Sequence, residues 1–167
     1  MQENAALFNF LNANGIRSMQ QLHEKISGLN TRYYDLRGEI VKAERRIATL
    51  TERGEMWKQY SQYKTIRKQL HDKVKPAKRE LFEQRHSREL LLYEAAARYL
   101  KELKDSGEEI TPKAWEREIA KLTAAKDVKY MDMKAMREEL KAVERLKKAA
   151  DHLARSEQSQ KKEEPEL

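Results

Sequence analysis

Eleven positions spaced alternately four and three residues apart constrain this chain more than any other feature: Leu22, Ile26, Leu29, Tyr33, Leu36, Ile40, Ala43, Ile47, Leu50, Gly54 and Trp57. All but Gly54 are apolar or aromatic. A strand would need a period of two, whereas this period lies close to the 3.6 residues of a helical turn. Held at 3.5 over five heptads, such a stripe stays on one side of a helix only when the helix winds around a partner. Gly28 and Gly38 fall off the stripe and cost about 1 kcal/mol each in a helix, too little to break the pattern. A second stripe follows the same spacing: Trp115, Ile119, Leu122, Lys126, Lys129, Met133, Met136, Leu140, Val143, Lys147 and Ala150. The two seams predict an all-α protein, an elongated antiparallel coiled coil of two long helices with a shorter helix packed at one end.

Punctuation places the ends of the elements. A first helix is expected over 2–13, with Leu7, Phe8, Phe10 and Leu11 as its apolar face and Asn14-Gly15 as its stop, because glycine tolerates the left-handed conformation that closes a helix. Ser18 with Gln21 three residues on forms a capping box opening a helix over about 18–69, roughly 75 Å long at 1.5 Å per residue. Lys75-Pro76 breaks the chain, since proline disfavours helix at the residue before it. A helix over about 77–105 follows, stopped by Gly107. Its segment 89–100 is apolar around much of its circumference, which requires more than one neighbour. Thr111-Pro112 opens the last helix, over 112–155, with threonine as N-cap and proline at the first helical position. Residues 1–155 are expected to form one helical domain, and the polar stretch 156–167 a disordered tail.

Composition narrows the chemistry. Charged residues make up 38%, against about 25% in an ordinary globular domain, and the mean hydropathy is −0.98. There is no cysteine, hence no disulfide framework and no thiolate site. A reducing, cytoplasmic compartment fits that usage. No apolar run approaches the roughly 18 residues a membrane span requires. None of His23, His71, His86 and His152 lies four residues from another, and no carboxylate joins them at metal-ligand spacing. His86, four residues from both Phe82 and Leu90, is expected to line a helix contact. Tyr33-Tyr34 resembles a nucleophile in type only: Tyr33 sits on the seam, with no general base near it in sequence. No catalytic centre, metal or cofactor is expected.

One window departs from this balance. Between residues 57 and 88 lie Lys58, Lys64, Arg67, Lys68, Lys73, Lys75, Lys78, Arg79, Arg85 and Arg88, against only Asp72, Glu80 and Glu83. Its net charge of +7 equals that of the whole chain. Trp57, Tyr60, Tyr63 and Phe82 interleave with these cations. Lys and Arg neutralise phosphates and release counterions, and aromatic faces stack on unpaired bases. The same residues also suit a plainer arrangement, with aromatics filling a helix junction and cations solvated around it. Nucleic-acid contact, protein contact and simple solubility all remain open from these residues.

Further stretches carry a family likeness. Ser27-Gly28-Leu29-Asn30, Ala43-Glu44-Arg45-Arg46-Ile47, Glu55-Met56-Trp57-Lys58-Gln59-Tyr60, Lys78-Arg79-Glu80-Leu81-Phe82-Glu83-Gln84-Arg85-His86, Tyr93-Glu94-Ala95-Ala96-Ala97-Arg98-Tyr99-Leu100 and Ile110-Thr111-Pro112-Lys113-Ala114-Trp115 resemble the C-terminal region of Mob-type conjugative relaxases of plasmids and integrative conjugative elements. The resemblance covers the chain up to its tail. It implies a non-catalytic accessory region of a DNA-nicking enzyme whose histidine-held metal and nucleophilic tyrosine belong to another domain, so no catalytic residue carries over. The partners it implies are origin-of-transfer DNA, other relaxosome proteins or the type IV coupling protein. DNA binding through the 57–88 window is the expectation the residues favour. The alternative is a coiled-coil interaction or dimerisation module docking the secretion machinery; lysine at three positions of the second seam leans toward a monomer.

Overall fold

The computed structural model describes residues 2–163, which form five α-helices and no strand. They are α1 (Gln2–Ala13), α2 (Met19–Asp72), α3 (Pro76–Arg85), α4 (Ser87–Asp105) and α5 (Pro112–Glu163). The fold is all-α, and it divides into two compact units where the sequence led us to expect a single domain. Unit 1 comprises Met1–Val41 and Asp127–Leu167, and unit 2 comprises Lys42–Lys126. Each has its own apolar cluster.

Local sequence explains the ends. Gly15 has φ +64° and Gly107 φ +90°, the region that favours glycine. After α4, Gly107 N–H donates to the Lys104 carbonyl at 2.9 Å and Glu108 N–H to that of Leu103 at 3.2 Å, occupying carbonyls the helix end would otherwise orphan. At the start of α2 the Ser18 hydroxyl accepts from Gln21 N–H at 3.2 Å. The Gln21 side chain accepts in return from Arg17 N–H at 2.6 Å, one residue before the cap. Lys75 is extended, and Pro76 opens α3 at its first position, where its missing N–H costs nothing.

Two expectations fail. The helix foreseen over 77–105 is two helices, α3 and α4, divided at His86 (φ −116°, ψ 24°). No glycine or proline marks this break. The imidazole packs on the Phe82 ring at 4.4 Å. The chain remains hydrogen-bonded across it, His86 N–H to the Phe82 carbonyl and Leu90 N–H to the His86 carbonyl. The stretch 156–163, expected to be disordered, continues α5; it contains no residue that stops a helix before Pro165. Residues 164–167 of the expected tail, and the side chains of Leu7 and Phe10, lie outside the described residues.

In unit 1 the cluster is aliphatic: Ile16, Leu22, Leu29, Leu140 and Val143, flanked by Leu11, Ile26 and Tyr33. Leu22 and Val143 are almost wholly inaccessible; burying each contributes about 1.5–3 kcal/mol. Lys25 meets Glu139 at 3.7 Å, and Glu39 meets Lys129 at 3.5 Å. Arg137 donates to the Tyr33 hydroxyl at 2.7 Å and lies 5.8 Å from the ring centre. The hydrogen bond to Tyr33 raises the pKa of this guanidinium.

In unit 2 the cluster is aromatic. Leu50, Leu100 and Trp115 are buried, with Trp57, Tyr60, Tyr99, Ile119 and Leu122 among the side chains packed on them. Arg46 grips Glu118 with two hydrogen bonds, Nε to Oε1 at 2.9 Å and Nη2 to Oε2 at 3.3 Å. This contact raises the Arg46 pKa and lowers that of Glu118. Arg53 is nearly buried (9% exposed) beside Glu108 at 3.7 Å.

Every seam position named from the sequence, in α2 and in α5, is buried or half-buried, whereas Gly28 and Gly38 are exposed. The seam lysines fit because their heads are partnered or reach an edge. Lys129 pairs with Glu39, Lys126 also has a partner, and Lys147 borders a groove with His23, Asn30 and Tyr34.

Candidate nucleic-acid interface

The 57–88 window runs from the last turns of α2 through the linker 73–75 and α3 to the first turn of α4, all within unit 2. Amphipathicity sorts its side chains. Trp57, Tyr60 and Tyr63 are half-buried, two of them on the unit's core. Lys58, Lys64, Lys68, Lys75, Lys78, Arg79, Arg85 and Arg88 are exposed, and Arg67 and Lys73 are half-buried.

None of the ten cations is ion-paired among the described residues. Two rest over rings instead: Lys64 Nζ lies 5.9 Å from the Tyr60 centroid, and Lys73 Nζ lies 5.1 Å from that of Phe82, within the range of a cation–π attraction. Unit 1, by contrast, carries as many acidic as basic side chains, so the whole formal charge of +7 belongs to unit 2. Unpaired cations spread over three helices and a linker form a field that attracts a polyanion.

The aromatics do not stand free in a row. Tyr60 stacks with two rings, Trp57 at 5.9 Å and 28° and Tyr93 at 5.2 Å and 23°. α4 is docked here by the Gln59 side-chain amide, which donates to the Leu92 carbonyl at 2.5 Å. Burial and the facing Tyr60 raise the Tyr93 pKa, opposed by nearby Arg67. Burial likewise raises the Tyr99 pKa, with Glu52 adding to it.

Beside this stack lies an open cleft of about 630 Å³, bordered by Trp57, Tyr60 and Tyr93 with two lysines, Lys101 and Lys104, and two carboxylates, Glu108 and Glu109. Trp57 also borders a groove of about 470 Å³ with Lys113 and Arg117. Sequence reasoning passed over the contribution of α4. The signal was present: Tyr93, Ala97, Leu100 and Lys104 follow a 4, 3, 4 spacing, one stripe of a helix seen only as apolar all round. Tyr63 takes no part in the stack, and the cations of α3 do not border the cleft.

The residues singled out for possible chemistry have structural places. Tyr33 is bound to Arg137, and Tyr34 meets it edge-on at 5.9 Å. His86 Nδ1 is buried without a hydrogen-bond partner, 3.9 Å from a Glu89 oxygen. Among the described residues no group of three His, Cys, Asp or Glu side chains is placed to hold a metal ion. No described helix is long and apolar enough to cross a membrane.

No protein-family model matches this sequence, and neither a curated protein nor a solved structure matches it.

Proposed function

We propose that this chain is the non-catalytic helical C-terminal region of a conjugative relaxase, and that it binds DNA at the origin of transfer through the 57–88 window. One observation carries the DNA reading: ten cations without an acidic partner among the described residues are gathered in one unit, while the charges of the other cancel. Lysine and arginine in such numbers contribute chiefly through phosphates, independent of sequence. The relaxase lineage rests on the sequence resemblance alone, and with it the bacterial cytoplasm as the place of action. The nicking chemistry belongs, on this reading, to a separate domain.

The scaffold we infer is an antiparallel coiled coil of α2 with α5. Its support is the falling register of the contacts within each unit: Lys25 with Glu139 and Glu39 with Lys129 in unit 1, Arg46 with Glu118 in unit 2.

The test is fluorescence anisotropy of a labelled DNA hairpin over a salt series. Log affinity is expected to fall linearly with log salt, with a slope of about −0.9 per neutralised phosphate. Absence of binding at low salt would remove the DNA reading.

A second reading is favoured by exposed Val128 and Met131, three residues apart on α5 and so on one face in unit 1. It is a protein-interaction or dimerisation module docking the relaxosome or coupling machinery. A dimer in sedimentation equilibrium that a Val128→Glu, Met131→Glu variant abolishes would support it; a monomer at all concentrations would exclude the homodimer.

A further inference from the structure

The last turns of α2 present an unusual face to solvent. From Lys58 to His71 the sequence contains no aspartate or glutamate. The inner side of this stretch is committed to the fold. Tyr60 stacks with Tyr93, and the Gln59 amide donates to the Leu92 carbonyl. Leu70 is buried, and Tyr63, Ile66 and Arg67 are half-buried. The outer side carries two neighbouring stripes at helical spacing. Lys58, Gln62, Thr65 and Gln69 form one, and Ser61, Lys64, Lys68 and His71 form the other; all are exposed. Asp72, in the last turn, is the first carboxylate to join them, and it lies 3.9 Å from His71.

Such a face narrows the ligand. It exposes no large apolar or aromatic side chain, so it lacks the anchors around which a protein interface is built. It also lacks a platform on which an unpaired base could stack. What it offers is hydrogen bonding and charge. Amides and hydroxyls pair with base edges, and lysines meet phosphates. A helix with its side chains is about 10–12 Å across, and the major groove of duplex DNA is about 12 Å wide. Gln62 and Gln69 stand two turns apart on one stripe, roughly 10 Å along the axis, or about three base pairs at 3.4 Å each. A glutamine amide can both donate and accept, which matches the N7 and N6 groups of adenine in that groove.

Resting on the DNA-binding reading, we propose that residues 58–71 of α2 lie in the major groove of duplex DNA. Gln62 and Gln69 pair there with base edges, while Lys58, Lys64 and Lys68 hold the flanking phosphates. The window then reads sequence as well as charge, and it prefers duplex to single strand.

The experiment selects, on the intact chain, from a library of duplexes with a randomised core. The selected duplex, its single strand and the unselected library are then compared by fluorescence anisotropy. One bidentate contact to a base discriminates by a factor of about five or more. The selected duplex is thus expected to bind at least about fivefold tighter than the library, and tighter than its own single strand. Gln62→Ala with Gln69→Ala changes two exposed positions to the residue best suited to a helix, and helical circular dichroism checks that the variant folds. It is expected to bring the selected duplex down to the affinity of the library with the salt slope unchanged, because no phosphate contact is lost. A selected duplex built with 7-deazapurines, which lack the N7 acceptor of the major groove but still pair, is expected to lose the same preference. No enriched sequence, or full preference in the folded double variant, overturns the base contacts and leaves phosphate binding standing. Undiminished affinity for the 7-deazapurine duplex, or tighter binding of the single strand, overturns the major groove as the place of binding. Failure of every duplex to bind at low salt overturns the DNA reading as well.

Discussion

The two units draw on the same pair of long helices and the same heptad spacing, yet they differ in core and in charge. Unit 1 packs aliphatic side chains, Leu22, Leu29, Leu140 and Val143, between balanced acidic and basic faces. Unit 2 packs Trp57, Tyr60, Tyr99 and Trp115 around Leu50 and Leu100, and it carries the whole net charge. A two-helix stripe is filled by leucine-sized side chains. Where α4 adds a further surface, rings join the core. Two of these aromatics, Trp57 and Tyr60, also border its cleft.

The largest effect that would sharpen this contrast is in the cores. Trp115→Ala, at 4% exposure, is expected to cost about 3–5 kcal/mol, and Leu22→Ala in unit 1 about 2–5 kcal/mol, measured by urea unfolding. DNA binding should be lost under conditions where Trp115→Ala unfolds unit 2. Equal loss in a Leu22→Ala variant whose unit 2 aromatics keep their near-ultraviolet circular dichroism would break the assignment of binding to unit 2.

Charge comes next. Lys64→Ala, Arg67→Ala and Lys68→Ala together should shallow the log–log salt slope by up to about 2.7 on duplex, at 0.9 per phosphate contact. An exposed triple of the same residue types in unit 1, Lys134, Arg145 and Lys148, should leave it unchanged when replaced by alanine. An equal fall in both would mean that binding follows total charge and not the window.

Alkali offers a smaller test. The pKa values of Tyr93 and Tyr99 are raised above 10.0, chiefly by burial. Phenols whose folded pKa exceeds the unfolded one contribute stability that is complete below the unfolded value and is lost as pH rises through the folded value. Stability should decline above about pH 10, with the absorbance of tyrosinate appearing as unit 2 opens. Tyr93→Phe with Tyr99→Phe should flatten that decline.

The smallest effect is at the Arg46–Glu118 contact. The lowered pKa of Glu118 means that its contribution is present above the ordinary carboxylate range and is lost as pH falls through the folded value. The carboxylate is exposed to solvent, so acid should cost little stability here. Arg46→Ala should return the Glu118 titration, followed by NMR, to the ordinary range.

Much of this was legible in the sequence, and what was not has physical reasons. The seams could be read because burial follows the heptad at every position from Leu22 to Trp57 and from Trp115 to Ala150. Gly15, Pro76 and Gly107 announced their turns because backbone conformation there depends on residue type. The break at His86 could not be read, since no glycine or proline marks it. Over residues 156–163 the polar composition pointed to disorder, yet polarity is a weak guide where nothing stops a helix already under way. The basic window was visible as a count of charges. The cleft was not, because it needs Tyr93, Lys101 and Lys104 to be brought to Trp57 and Tyr60 from a separate helix.

Ultraviolet crosslinking of bound DNA, with the attached peptides identified by mass spectrometry, tests the central claim most directly. Crosslinks confined to the 57–88 window are the predicted result. Crosslinks concentrated on the unit 1 part of α5, with none in the window, would contradict it.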